Sequence, residues 1–201
     1  MSLLYFPSQA SSAAGALTFI AKNSASDSSS ISFDDQFSSD YQNYLVDLSN
    51  IVPATNHVLL KIKLEASSSA QSLTTTFVFT RHGYTGTEFT NFSYRDTLDA
   101  KSTAGSVNIS GNIANNATIA GAGLTGQIYL SGVADSSRYG LFFSNLVHIF
   151  EDDSASYGNV LANSQVAGVA AAVANADSLT FEMSSGNISS GNFTLYGIKQ
   201  S

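Results

Sequence analysis

The sequence predicts an all-β protein, an antiparallel β-sandwich of jelly-roll type, and three observations carry that reading. Short runs rich in Ile, Leu, Val, Phe and Tyr recur along the chain. Clusters of Ser, Gly, Asp and Asn separate them at about the eight-to-twelve-residue spacing of a sandwich or barrel. In the third, Leu60, Ile62 and Leu64 alternate with Lys61, Lys63 and Glu65. That is period two, with one face buried and one wet.

Taken in order, residues 16–22, 30–33, 43–49 and 57–65 read as strands, followed by 73–80, 88–95, 106–113, 126–132 and 139–150. Within 88–95, Phe89, Asn91 and Ser93 share one face, while Thr90, Phe92 and Tyr94 share the other. The connections are "NSASDSSS" (23–30), "SSSAQS" (67–72), "AKSTAGS" (100–106) and "VADSSR" (133–138). The alanine-rich stretch 164–178 reads as a helical turn or a small-residue loop lying on the sheet. At the end of the chain, 179–183 and 192–198 read as the strands of a closing hairpin. Its turn, 184–191, places Gly186 and Gly191 where positive φ is needed. Phe181, Phe193, Leu195 and Ile198 are its expected buried residues, and Asn187 and Ser189 its exposed turn residues.

Composition narrows the function classes. The chain has 201 residues, 43% of them hydrophobic, enough for one sizeable core, and the expected division is an arm at 1–15 followed by a sandwich domain at 16–201. Charged residues make up 11%, against roughly 25% in soluble domains, so the surface is polar and uncharged and suits packing against neighbours. The net charge of −7, with no Lys/Arg cluster, argues against nucleic acid. With no cysteine there is no disulfide or thiol chemistry. The first sixteen residues lack the basic and long apolar regions of a signal peptide. The most uniformly apolar stretch, 166–176, is too short to cross a bilayer, so no membrane insertion is expected.

Reactive constellations are hard to find, and no catalytic, cofactor-binding or metal residues are assigned. "GAGLTG" (121–126) matches G-x-G-x-x-G, but a strand follows it where a dinucleotide site needs a helix, so it reads as a loop. His57, His82 and His148 lack ligand spacing; they read as a strand start, a turn and a half-buried strand position. No G-x-S-x-G elbow occurs. Glu151, Asp152 and Asp153, with Asp34 and Asp35, offer oxygen ligands for Ca²⁺, yet without EF-hand spacing they read as solvated strand ends. The absence of Trp removes the usual platforms of a glycosidase cleft. Tyr84, Tyr94, Tyr139 and Tyr157 fall at or near loops, where amphipathic rings suit a subunit interface or a sugar contact. Leu3, Leu4, Tyr5 and Phe6 form an apolar cluster in the arm, expected to serve assembly more than the core.

One resemblance bears on function. Tyr41 and Tyr44 form a "Y-x-x-Y" element, Asn50, Pro53, Ala54 and Thr55 an "N-x-x-P-A-T" turn, and residues 184–198 the run "SSGNISSGNFTLYGI". In these segments the chain resembles small β-rich virion proteins of tailed bacteriophages. The likeness follows the order of elements over roughly residues 16 to 199 and is specific at those two places. It implies a non-enzymatic structural protein on the virion, assembled in the host cytoplasm beside major capsid or tail proteins. With no stalk repeats or heptads in the sequence, capsid decoration (cement) is the first expectation, and a tail or fibre-tip protein that binds a host-surface glycan is the alternative. Either role implies a homo-oligomer, a trimer among the options.

Overall fold

The computed structural model describes residues 17–83, 89–151 and 159–199. In chain order the strands are β1 (Leu17–Ser28), β2 (Ser30–Asp34), β3 (Asn43–Pro53), β4 (Leu60–Ala66), β5 (Ser69–Ala70), β6 (Ser72–Gly83) and β7 (Thr90–Tyr94). They continue as β8 (Thr103–Ala104), β9 (Val107–Asn108), β10 (Leu124–Ser131), β11 (Tyr139–Glu151), β12 (Asn159–Val173), β13 (Ser178–Met183) and β14 (Ile188–Ile198). Among the described residues, the helical content is one 3-10 turn at Asp96–Leu98.

Every pairing is antiparallel, and the strands form two sheets. The large sheet runs β1-β14-β3-β10-β11-β12-β6-β7, with β8 on β6; the small one runs β2-β13-β4-β5, with β9 on β4. The quartets β1-β14-β3-β10 and β2-β13-β4-β9 have jelly-roll order, as the sequence predicts. Two insertions, β6–β8 and β11–β12, widen the large sheet beyond β10, while β5 extends the small one beside β4.

One apolar cluster fills the space between the sheets. The second sheet covers β1, β14 and β3 through side chains such as Phe33, Ile62 and Phe181. Over the widened half, where Phe77, Phe79, Phe142 and Phe150 point inward, the crossing segment between β9 and β10 adds Ile109 and Ile113. It is tied down by the Ile109 N–H to Leu60 O (2.9 Å) and the Ala114 N–H to Ile149 O (2.9 Å). His148 lies beneath this segment, stacked on Phe79 with ring centroids 6.0 Å apart. Its Nε2 is 2.9 Å from Ser164 Oγ, which also accepts the Gly111 N–H at 2.9 Å. Burial pushes the imidazole pKa down to about 4, with the Asn112 backbone pulling weakly the other way.

Several sequence expectations change. Residues 179–183 and 192–198 do not form a hairpin. β13 pairs with β2 and β4 in the small sheet, and β14 with β1 and β3 in the large one, so 184–187 is a corner between sheets. Ile198 is half-buried on the outer face, whereas Phe181, Phe193 and Leu195 are fully buried as predicted. Asn187 is not an idle turn residue, because its amide donates to Asp27 O (3.1 Å) and Asp27 Oδ1 (3.0 Å). The stretch 164–178 is mostly strand: Ser164, Val166 and Ala170 face inward on β12, and paired β6 and β11 override alanine's helix preference. Its Gly168 leaves room for the Phe142 ring, which a Cβ would meet at 2.1 Å.

"NSASDSSS" belongs mostly to β1, which continues to Ser28, and the region 106–113 is strand only at β9. "GAGLTG" is loop only to Gly123, since β10 starts at Leu124. His57 occupies a turn at φ 56°, His82 lies within β6, and His148 is fully buried rather than half-buried. Residues 1–15, Tyr84, Asp152, Asp153 and Tyr157 lie outside the described residues.

Candidate functional site

The end of the sandwich where β3, β10 and β12 meet their loops holds a polar pocket of about 340 Å³. Three chain segments build it: the approach to β3, the β10–β11 loop and the β12–β13 connection. Backbone bonds fix the loops to each other, from the Gly132 N–H to Gln42 O (3.2 Å) and from the Ala176 N–H to Val133 O (2.7 Å). Gly132 itself needs its positive φ of 69°, and a Cβ there would meet Tyr139 O at 2.8 Å.

Tyr41 forms one wall. Its ring lies against Gly197, where a Cβ would meet Tyr41 Cδ1 at 2.4 Å, and Lys199 Nζ is 5.9 Å from the ring centroid. Behind it stands Tyr44, 5.8 Å away edge to face, which packs on Phe37 at 4.9 Å. The Tyr44 hydroxyl donates to Ser38 O (2.8 Å) and accepts the Ser38 N–H (2.7 Å), so the approach to β3 is held from the core.

The lining also carries a charged pair in the β10–β11 loop. Asp135 Oδ1 accepts the Ser137 N–H at 2.8 Å and the Ser137 hydroxyl at 2.6 Å, while Oδ2 lies 3.2 Å from Arg138 Nε. These bonds, from the Ser137 hydroxyl first and its N–H next, hold the Asp135 carboxyl below the usual carboxylate range. With Asn175 and Gln42 also on the lining, planar donors and acceptors surround the opening.

A second surface feature is an apolar band on the outer face of the large sheet. Strand register aligns Phe19, Tyr196, Leu45, Tyr129, Phe143 and Ala167 in one row across β1, β14, β3, β10, β11 and β12. Phe19 is 60% exposed and Phe143 48%. A neighbouring row adds Leu17, Ile198, Leu141 and Val169.

Of the tyrosines singled out from the sequence, the two that are described, Tyr94 and Tyr139, do not converge. Tyr94 and Tyr139 are both exposed on the outer face. Tyr139 starts β11, whereas Tyr94 aligns through Val78 and Gln165 with Asn145, six residues and roughly 20 Å further along β11. The Tyr94 hydroxyl donates to Asp99 Oδ2, which raises its pKa. Leu3, Leu4, Tyr5, Phe6, Tyr84 and Tyr157 fall outside the described residues. Sequence reasoning missed Asp135, Arg138 and Asn175. Asp135 and Arg138 sit in a stretch with the composition of an ordinary turn, and only the topology brings them to Tyr41. Among the described residues no group of three or more His, Asp or Glu could hold a metal ion.

The segments that carry the phage resemblance form one packed unit. The Ala54 N–H donates to Asn187 O at 2.9 Å, and a Cβ on Gly186 would meet Thr55 Oγ1 at 2.2 Å. Gly191 likewise lies against the Asn50 carbonyl, and Tyr41 against Gly197. The shared residues therefore maintain the β3–β14 contact, and Tyr41 alone among them lines the pocket. No protein-family model and no curated protein matches the chain. Among solved structures, the chain is similar to the CBM2 module of Lactobacillus casei BL23 phage J-1 evolved Dit. That alignment has a TM-score of 0.27 and 8% sequence identity, covering 92% of this chain and 77% of that chain.

Proposed function

We propose that this chain is a non-enzymatic glycan-binding module of a tailed-phage particle, placed on the tail or fibre tip, where it contacts a host-surface saccharide. The carrying observation is the pocket, whose lining brings together Tyr41, the Asp135–Arg138 pair and Asn175. A sugar has an apolar C–H face and an edge of neighbouring hydroxyls that both donate and accept. An aromatic wall suits the face, and a carboxylate, a guanidinium and amides suit the edge. A volume of about 340 Å³ is at the small end of ligand pockets and fits a terminal one- or two-residue saccharide. The phage setting is supported by the sequence resemblance.

Capsid decoration is the second reading, favoured by the exposed apolar band, which suits packing against another virion subunit. Calorimetric titration separates the two. The 201-residue chain is titrated with glucose, galactose, rhamnose and N-acetylglucosamine and their disaccharides. Saturable binding to at least one, weakened at least tenfold in Arg138→Ala with an unchanged melting temperature, supports the glycan reading. No binding across the panel, or binding indifferent to Arg138→Ala and Asp135→Ala, overturns it.

A further inference from the structure

We infer that the outer face of the large sheet is the contact surface for a second copy of this chain, the two faces packing across a two-fold axis. The inference does not rest on the sugar pocket, which lies at the strand ends and borders this face at Asn43 and Ser131.

Size comes first. The face spans seven strands from β1 to β6, or six spacings of about 4.8 Å, roughly 29 Å across. Its shortest strand, β10, has eight residues and extends roughly 27 Å. The product is on the order of 800 Å², the area each partner contributes to a standard stable interface.

Charge is compatible with that occupant. The chain carries a net charge of −7, so two copies repel across most orientations. Among the described side chains at outer positions of these strands, the charged ones are Lys22 and Asp47, which sum to zero. Asp47 is already engaged, with Gln127 Nε2 3.4 Å from its Oδ1. A face whose described side chains sum to zero adds no net repulsion of its own between two acidic copies.

Shape agrees with charge. The apolar row crosses the sheet perpendicular to the strands, so a two-fold axis through its middle lays one row along the other, as two sheets pack in a sandwich. Edge pairing through β1 is the competing mode, and Lys22 and the register shift between Phe19 and Ala21 oppose it.

Sedimentation velocity on the full chain from 1 to 100 µM tests the inference. The expected result is a concentration-dependent species at twice the 21.1 kDa chain mass. Phe143→Asp, which puts like charges into the centre of the contact, should shift it to monomer with an unchanged circular dichroism spectrum. Should Phe143→Asp fail to fold, Phe19→Asp, on a different strand of the same row, decides in its place. A wild-type chain that stays monomeric at 100 µM, or a charged variant that dimerises as the wild type does, overturns the inference.

Discussion

Phe181 and Phe193 pack with ring centroids 5.1 Å apart, although one belongs to the small sheet and the other to the large. Phe33 meets Phe181 edge to face at 6.5 Å, extending the contact to a third strand. The thirteen residues from 181 to 193 thus leave one layer, turn the corner and return to the same point of the core from the other side. Truncating Phe193 to Ala removes the joint between layers and should cost about 3–5 kcal/mol. Urea denaturation should show a lower midpoint with an unchanged slope.

The corner should be equally intolerant of a methyl group. Gly186 has φ 70° and faces Thr55, and Gly191 has φ 135° with the Asn50 carbonyl and Ile51 Cα each 2.8 Å from an added Cβ. Alanine at either position should cost more than about 1 kcal/mol. Gly191→Ala should be the worse, because backbone rather than a side chain blocks it. Thermal unfolding of the two variants measures the order.

Asn187→Ala should cost about 1 kcal/mol through the lost bonds to Asp27, with no effect on sugar binding. Paired unfolding and titration curves check both halves. A variant that loses binding at full stability would place the ligand at the corner.

His148 makes stability pH-dependent. Its pKa falls from 6.5 in the open chain to about 4 in the fold, so the unfolded chain takes up the proton first as pH drops. Stability from this group is complete above about pH 6.5, declines between 6.5 and 4, and levels off below, a loss on the order of 3 kcal/mol. Carboxylates titrate in the lower part of that range too. The measurement is therefore the difference in pH dependence between the wild type and His148→Gln, whose curve should be flatter from pH 6.5 to 5.

Much of the fold is legible in the residues, for reasons that differ by element. β4 announces itself because Lys61, Lys63 and Glu65 cannot share a face with Leu60, Ile62 and Leu64. β12 does not, since its inward Ala162, Ser164 and Ala170 differ little in polarity from its outward Ala167 and Ala171. The alternation of 179–183 and 192–198 shows which side chains turn inward, but local pattern is silent on partners, and a corner and a hairpin look alike until β2, β4, β1 and β3 take their places. The pocket has the same origin. Tyr41 and Arg138 are nearly a hundred residues apart, in segments brought together by the pairing of β3 with β10. The apolar band is readable strand by strand in Tyr129 and Phe143, but as a surface only through the register.

Amide chemical-shift mapping during a saccharide titration tests the glycan-binding claim most directly, with whichever sugar of the panel binds. The account predicts shifts concentrated at Tyr41–Asn43, Ser131–Arg138 and Asn175, and none at Phe92 and Leu161 on the shallow apolar groove of the outer face. Shifts gathered at that groove, or absent from the Asp135–Arg138 loop at saturation, would contradict it.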